Sequence, residues 1–165
     1  MIMKTRILLI TLFLSSFAFG QNLIIDEETG KYSQKAVVEI NNLTKKDIYS
    51  KAIEWITLNY KSADDVIQSK DSENGKIILK GNFSTSLFMK QGWIKHTLIL
   101  EFKDNKFRYA YTDLSYYSTG SGEVPFEKNM MSKKKVLAET EQNIESSIKD
   151  LTGHIKKTND TQDDW

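Results

Sequence analysis

The clearest pattern along the chain is the alternation of apolar and polar positions over residues 92–117. Asp104-Asn105 interrupts the alternation as a two-residue turn between two strands, which predicts a long β-hairpin. Such a turn fixes the register, because a slip of one residue would move every side chain to the other face. The predicted cross-strand pairs are Phe102 with Phe107, Leu100 with Tyr109, Leu98 with Tyr111, Glu101 with Arg108 and Thr97 with Thr112.

Two helices and three further strands are predicted outside the hairpin. Strand patterns cover residues 31–40, 65–70 and 76–83, and an Asn-Gly turn at Asn74-Gly75 precedes the last of these. Thr44 and Ser132 are predicted helix N-caps. The first helix carries Ile48, Ala52, Trp55, Ile56 and Tyr60 on one face, and the second carries Leu137, Ile144, Ile148, Leu151 and Ile155. The order β-α-β-β-β-β-α predicts an α+β domain with an antiparallel sheet and both helices packed on one face.

The N-terminus has the order of a secretory signal peptide. Two basic residues precede an apolar run over residues 7–14, and Ala18 and Gly20 occupy positions −3 and −1 of a cut before Gln21. The alternative is a membrane anchor, but the run falls short of the ~20 apolar residues that span a bilayer. We therefore predict a cleaved, exported product in the periplasm or outside the cell.

The expected organisation is a signal peptide (1–20), an N-terminal extension (21–30), one domain (31–157) and a flexible polar tail (158–165). The chain has no cysteine, which excludes a disulfide framework and a lipid-modified N-terminal cysteine. Loss of the signal peptide changes the formal charge from +1 to −1. This charge favours neither nucleic acid nor an acidic membrane, so we predict no nucleic-acid partner and no membrane anchor.

Candidate catalytic chemistry is sparse. No nucleophile or zinc-binding motif is present, and His96 and His154 are the only histidines, so no metal site or cofactor is predicted. The hairpin register places His96 opposite Asp113 on the core face. A carboxylate that orients an imidazole is half of a general-base arrangement. The alternative, a buried polar pair that satisfies its own hydrogen bonds, is favoured because no third partner is visible.

The outward face of the hairpin is the second candidate site. The register predicts that Trp93, Lys95, Ile99, Leu114 and Tyr116 share this face, with Trp93 paired to Tyr116. A solvent-facing sheet usually carries more charge, and exposed aromatic and aliphatic side chains mark contact surfaces. Two interpretations remain open: the face contacts a partner, or the loop 117–131 or a second copy of the sheet covers it.

The central part of the chain resembles a known family. The resemblance covers residues 32–117 and rests on Ala52, Trp55 and Tyr60, on Val66-Ile67-Gln68, on the turn from Asp71 to Gly75, and on Lys76 to Gly81. The family consists of uncharacterised exported proteins from Bacteroidota-type bacteria, described as a domain of unknown function with a TATA-binding-protein-like fold. The resemblance implies this fold and an exported setting, but no activity and no DNA binding.

Three functions follow as hypotheses. The leading one is an exported, non-catalytic binding or structural module of the cell envelope, whose partner is another envelope protein or a second copy. The second is a small hydrolase or ligand-transforming enzyme that uses His96 and Asp113. The third is a carrier of a small apolar ligand, with a cavity between the sheet and the helix over residues 137–155.

Overall fold

A computed structural model describes residues 22–85, 91–120 and 122–157. The predicted signal peptide, its cleavage site and the predicted tail lie outside these residues. The elements are β1 (Ile24–Ile25), β2 (Tyr32–Glu39), α1 (Lys45–Asn59), α2 (Ala63–Val66), β3 (Ile67–Asp71), β4 (Lys76–Thr85), β5 (Gly92–Lys103), β6 (Lys106–Ser118), β7 (Gly122–Pro125) and α3 (Lys133–Lys156). In the described part of the chain, no helix combines the length and the apolar character that a membrane span requires.

The strands form one antiparallel sheet in the order β1-β2-β6-β5-β4-β3. The hairpin β5–β6 lies at its centre, and β6 is bordered on its other edge by β2 near the hairpin turn and by β7 near its far end. Helices α1 and α3 pack against each other and on the same face of the sheet. The predicted α+β architecture, with two main helices on one face of an antiparallel sheet, is confirmed.

Helix α1 is fixed to the central hairpin at its first turn. Thr44, the predicted N-cap, forms a capping box with Asp47, in which each side chain binds the other residue's backbone N–H. The Lys45 amide donates to Asp104 Oδ1 at 2.7 Å, and the Asn105 amide donates to the Leu43 carbonyl at 2.9 Å. The hairpin turn therefore sets the position of the helix as well as the strand register.

The core lies between the sheet and the two helices. It contains the inward side chains of the strands, with Ile77, Leu79, Leu98, Leu100 and Phe107 fully buried. Trp55 is 3% exposed, as expected of a core anchor, and its indole N–H donates to Asp150 of α3 at 2.7 Å. In α3 the buried stripe includes Val136 and Thr140, and Leu137 is only half-buried. The buried stripe of α3 therefore begins at Val136 rather than at the predicted Leu137.

Short elements account for most differences from the prediction. Residues 65–70 are divided between the helix α2 and the strand β3, and the predicted loop 117–131 contains β7. Ser132 precedes α3 but adopts a left-handed conformation and makes no side-chain cap. Within the predicted extension, Leu23 is buried against the domain, and its amide donates to Glu141 Oε1 at 2.9 Å. Such elements depend on tertiary contacts more than on local pattern.

The predicted register is confirmed from the turn to Thr97 and Thr112 and is wrong beyond it. A β-bulge places two residues, Asp113 and Leu114, opposite His96, and Asp113 has a left-handed backbone with φ 52°. From that point the strand is shifted by one residue, so Trp93 pairs with Tyr117 rather than with Tyr116. Aspartate tolerates this conformation better than most residues, which permits the bulge.

Candidate functional site

The bulge separates the two residues of the predicted catalytic pair. His96 points to the helix side of the sheet, where it is 3% exposed and packs between Phe83 and Tyr111, with ring centroids 4.3 and 4.9 Å away. Asp113 is exposed and binds Lys31 Nζ at 2.5 Å. The predicted pairing of the His96 and Asp113 side chains on the core face is therefore wrong, because the extra residue of the bulge turns Asp113 toward Lys31 while His96 stays in the core.

The surroundings of His96 are those of a core residue. Neither ring nitrogen has a hydrogen-bond partner in the described residues. Burial lowers the pKa of His96 to about 4, and the nearby backbone of Ile94 offsets only part of this effect. A Cβ atom on Gly81 would lie 2.8 Å from Nε2, so the imidazole occupies the space that this glycine leaves open. The ring is neutral at pH 7 and is shielded from any substrate in solvent.

The outer face, meaning the side of the sheet away from α1 and α3, is the larger candidate site. Each row of this face runs across neighbouring strands. The rows contain Ser84, Trp93, Tyr117 and Glu123; Asn82, Lys95 and Ser115; Lys80, Thr97 and Thr112; Ile78, Ile99, Ala110 and Lys35; Lys76, Glu101, Arg108 and Val37; and Lys103, Lys106 and Glu39. The face therefore has an aromatic end, a centre of small and aliphatic residues, and a basic end at the hairpin turn.

The aromatic end is an ordered cluster. The rings of Trp93 and Tyr117 lie 5.7 Å apart, and Lys95 Nζ lies 4.9 Å from the centre of the Tyr117 ring. Lys95 also binds Glu123 at 2.5 Å, and the Ser115 hydroxyl donates to the same carboxylate at 2.6 Å. The ion pair with Lys95 and the bond from Ser115 lower the pKa of Glu123. Cation–π and ionic contacts thus hold the two rings on the outer face.

The centre of the outer face combines apolar and hydroxyl side chains with two lysines, Lys80 and Lys35. Ile78, Ile99 and Ala110 form one half-buried row, and Thr97 in the next row is 7% exposed. Asp113 lies next to Thr97. Its pKa is lowered by a hydrogen bond from Lys31, by a hydrogen bond from Thr97 and by the positive charge of Lys31.

The basic end is more highly charged. Lys103 and Lys106 lie directly opposite each other across the hairpin. Two like charges in this position repel each other. Arg108 pairs with Glu101, and among the described residues neither lysine lies within ion-pair distance of a carboxylate. A shallow concavity of about 320 Å³, lined by these four residues and by Val37, opens at this end.

The structure keeps three of the five predicted surface residues together. Trp93, Lys95 and Ile99 lie on the outer face, whereas Leu114 is 1% exposed in the core and Tyr116 packs on the inner side beside Gly92. Leu114 and Tyr116 leave the outer face because the bulge shifts the strand by one residue.

Sequence reasoning missed Tyr117, Ser115 and Glu123, which form the aromatic end with Trp93 and Lys95. The local signal for the shift was the aspartate at position 113, a residue type that accepts the left-handed conformation a bulge requires.

The segment after β6 does not cover the outer face. Strand β7 continues the sheet at its edge, and the chain then turns inward, where Phe126 is fully buried. The Phe126 amide donates to the Leu114 carbonyl at 3.0 Å, on the core side of the bulge. The prediction that the loop 117–131 covers the outer face is therefore wrong for the described part of this loop. The prediction that a second copy covers the face stays a prediction.

A second, more polar groove of about 590 Å³ lies between α1 and α3 on the helix side. Its lining includes Leu58, Lys149, Asp150 and His154, and His154 Nε2 lies 3.4 Å from Glu54. In the described residues, no cluster of three metal-binding side chains is present in this groove or elsewhere.

Comparison with known proteins gives a family but no activity. No protein with a curated description matches the chain. The chain is similar in structure to a TBP-like protein from Parabacteroides distasonis, with a TM-score of 0.69 and 16% identity over 81% of this chain and 98% of that one. It is also similar to a DUF4468 family protein from Bacteroides ovatus, with a TM-score of 0.61 and 14% identity over 84% and 93% of the two chains. At these identities the likeness establishes the fold alone.

The sequence profile of one family matches residues 35–117, which form the sheet from β2 to β6 together with α1. The resemblance found in the sequence is thus confirmed, and the chain belongs to the family described as a domain of unknown function (DUF4468) with a TBP-like fold.

Proposed function

We propose that this protein is an exported, non-catalytic binding or structural module of the bacterial cell envelope, and that it acts by docking a protein on its outer face. The observation that carries the proposal is the open outer face with its half-buried row of Ile78, Ile99 and Ala110. No described element packs over this row. An uncovered apolar row on the face of a sheet is typical of a protein contact surface.

The two alternative functions have less support. An enzyme built on His96 would need its imidazole to reach a substrate, but the ring is enclosed by Phe83 and Tyr111. A carrier would need space between the sheet and α3. There the Tyr111 hydroxyl lies 2.9 Å from Ser147 Oγ, and Leu151 is fully buried. Helix α3 therefore rests directly on the sheet, and neither alternative has a specific observation in its favour.

Docking on the outer face predicts a face-specific cross-link in the cell envelope. A photoreactive amino acid at position 99 is expected to give a discrete protein adduct, visible as a band of higher mass on a denaturing gel. The same group at Thr57, which is exposed on the helix side, serves as the control and is expected to give none. Equal adduct formation at both positions, or no adduct at position 99, would contradict the proposal.

Export predicts a shortened mature chain. The protein isolated from the native envelope is expected to begin at Gln21, because the apolar run and the small residues at 18 and 20 match a cleavage site. Intact-mass measurement tests this prediction directly. A mass that includes residues 1–20 would contradict it.

A further inference from the structure

We infer that the occupant of the outer face is a second copy of this chain, related by a two-fold axis that lies in the plane between the two sheets and runs perpendicular to the strands. This inference rests on the proposed function and specifies the partner. Both copies would use the same face, as an isologous contact requires. The two sheets would form a sandwich with the helices on the outside.

The area of the face fits a stable dimer. From Trp93 to Lys103 the outer face spans ten residue steps along β5, or roughly 33 Å at about 3.3 Å per residue. In the half near the hairpin turn, the five strands β2, β6, β5, β4 and β3 span roughly 20–24 Å at about 4.8 Å between neighbours. In the half near the aromatic end, the four strands β7, β6, β5 and β4 span roughly 15–19 Å. The two halves together give roughly 580–710 Å² per copy, near the lower end of the ~600–1,000 Å² per partner that specific interfaces bury.

The sequence of side chains along β5 supports this direction of the axis. A rotation about an axis between the rows of Thr97 and Ile99 places Thr97 on Ile99 of the second copy. It also places Lys95 on Glu101 and Trp93 on Lys103. The first contact is apolar, the second joins opposite charges, and the third puts a cation on an aromatic ring.

The neighbouring strands agree with the same rotation. On β6 it places Lys106 on Tyr117 of the second copy, so the basic end of one face meets the aromatic end of the other. Lys106 and Lys103, which repel each other within one copy, would each gain an aromatic or acidic neighbour. Two meetings are unfavourable. Glu39 meets Glu123 at the rim, where water and salt screen the repulsion. On β4, Lys80 meets Ile78, where its aliphatic stem covers the apolar side chain only if the amine extends to solvent.

A two-fold axis along the strands gives a worse contact. It would bring Lys103 and Lys106 of both copies together at one end of the interface, and four close lysines repel one another. The distribution of charge therefore selects the perpendicular axis, in which each lysine pair faces the row of Trp93, Tyr117 and Glu123.

The absence of cysteine in the chain allows a direct test with engineered disulfides. Two single variants, Trp93→Cys and Lys103→Cys, are purified with tags of different mass, mixed and oxidised. We expect the mixed disulfide to predominate over either homodimer, because the two positions meet across the axis. Ser50→Cys, exposed on α1, is the control and is expected to form no specific dimer. The unmodified protein is expected to sediment at twice the mass of its mature chain.

The outcomes separate this inference from the proposed function. Predominant self-linking of Lys103→Cys would overturn the perpendicular axis, and efficient linking through Ser50→Cys would place the dimer on the helix side. If the purified protein is a monomer but position 99 still forms an adduct in the cell envelope, the occupant is not a second copy. The proposed docking face would then remain valid. A monomer with no such adduct would overturn both.

Discussion

Acidification from pH 7 to about pH 4 is expected to cost the protein about 3 kcal/mol of stability through His96 alone. The pKa of this group is about 4 in the folded protein, against 6.5 for a free histidine. Between these values the unfolded chain binds more protons than the folded one, so the free energy of unfolding falls as the pH falls. The loss begins near pH 6.5 and is complete below pH 4, and urea unfolding at a series of pH values measures it.

The variant His96→Leu isolates this contribution. Leucine has no titrating group and leaves no unpaired nitrogen in the core, so we expect a change of only about 1–2 kcal/mol at pH 7. The variant should lose about 3 kcal/mol less than the natural protein between pH 7 and pH 4. His154→Gln, at the groove between the helices, is the matched control. Parallel pH profiles for the natural protein and His96→Leu would contradict the buried, neutral assignment.

Truncation of Leu98 is expected to cost about 2–5 kcal/mol, whereas truncation of its neighbour Ile99 is expected to cost less than about 1 kcal/mol. Leu98 is fully buried under the helices, and Leu98→Ala would leave a cavity there. Ile99 points to the outer face, where Ile99→Ala removes contacts with its neighbours only. Denaturant unfolding at low protein concentration, where self-association is weak, gives both values. Similar losses for the two variants would mean that the outer face is packed in the monomer.

The sequence predicted the centre of the fold well because local and long-range signals agree there. The two-residue turn at Asp104-Asn105 fixes the register, and alternation then assigns each residue of β5 to a face. Thr44 and Asp47 mark the start of α1 by side-chain chemistry that needs no tertiary context. The family resemblance rests on this same region, from residue 35 to residue 117.

The candidate site was only partly predictable, because a single extra residue decides which face a side chain takes. Strict alternation puts Asp113 on the core face, and this break fits a buried pair with His96 as well as it fits a bulge, so the pattern alone does not locate the bulge. Leu114 therefore moved from the predicted surface to the core, and Tyr117 took the place of Tyr116 beside Trp93. Strand β7 was missed for a related reason: its four residues carry no pattern and are ordered by pairing with β6.

Cysteine accessibility in the native envelope measures whether the outer face is the docking face. Single variants Ile99→Cys and Lys80→Cys report on the outer face, and Ser50→Cys and Leu58→Cys report on exposed positions of α1. Each is labelled with a maleimide before and after the protein is released and diluted. We predict that positions 99 and 80 are protected in the envelope and become reactive on dilution, while positions 50 and 58 react in both states. Full reactivity of positions 99 and 80 in the intact envelope would show that nothing docks on the outer face.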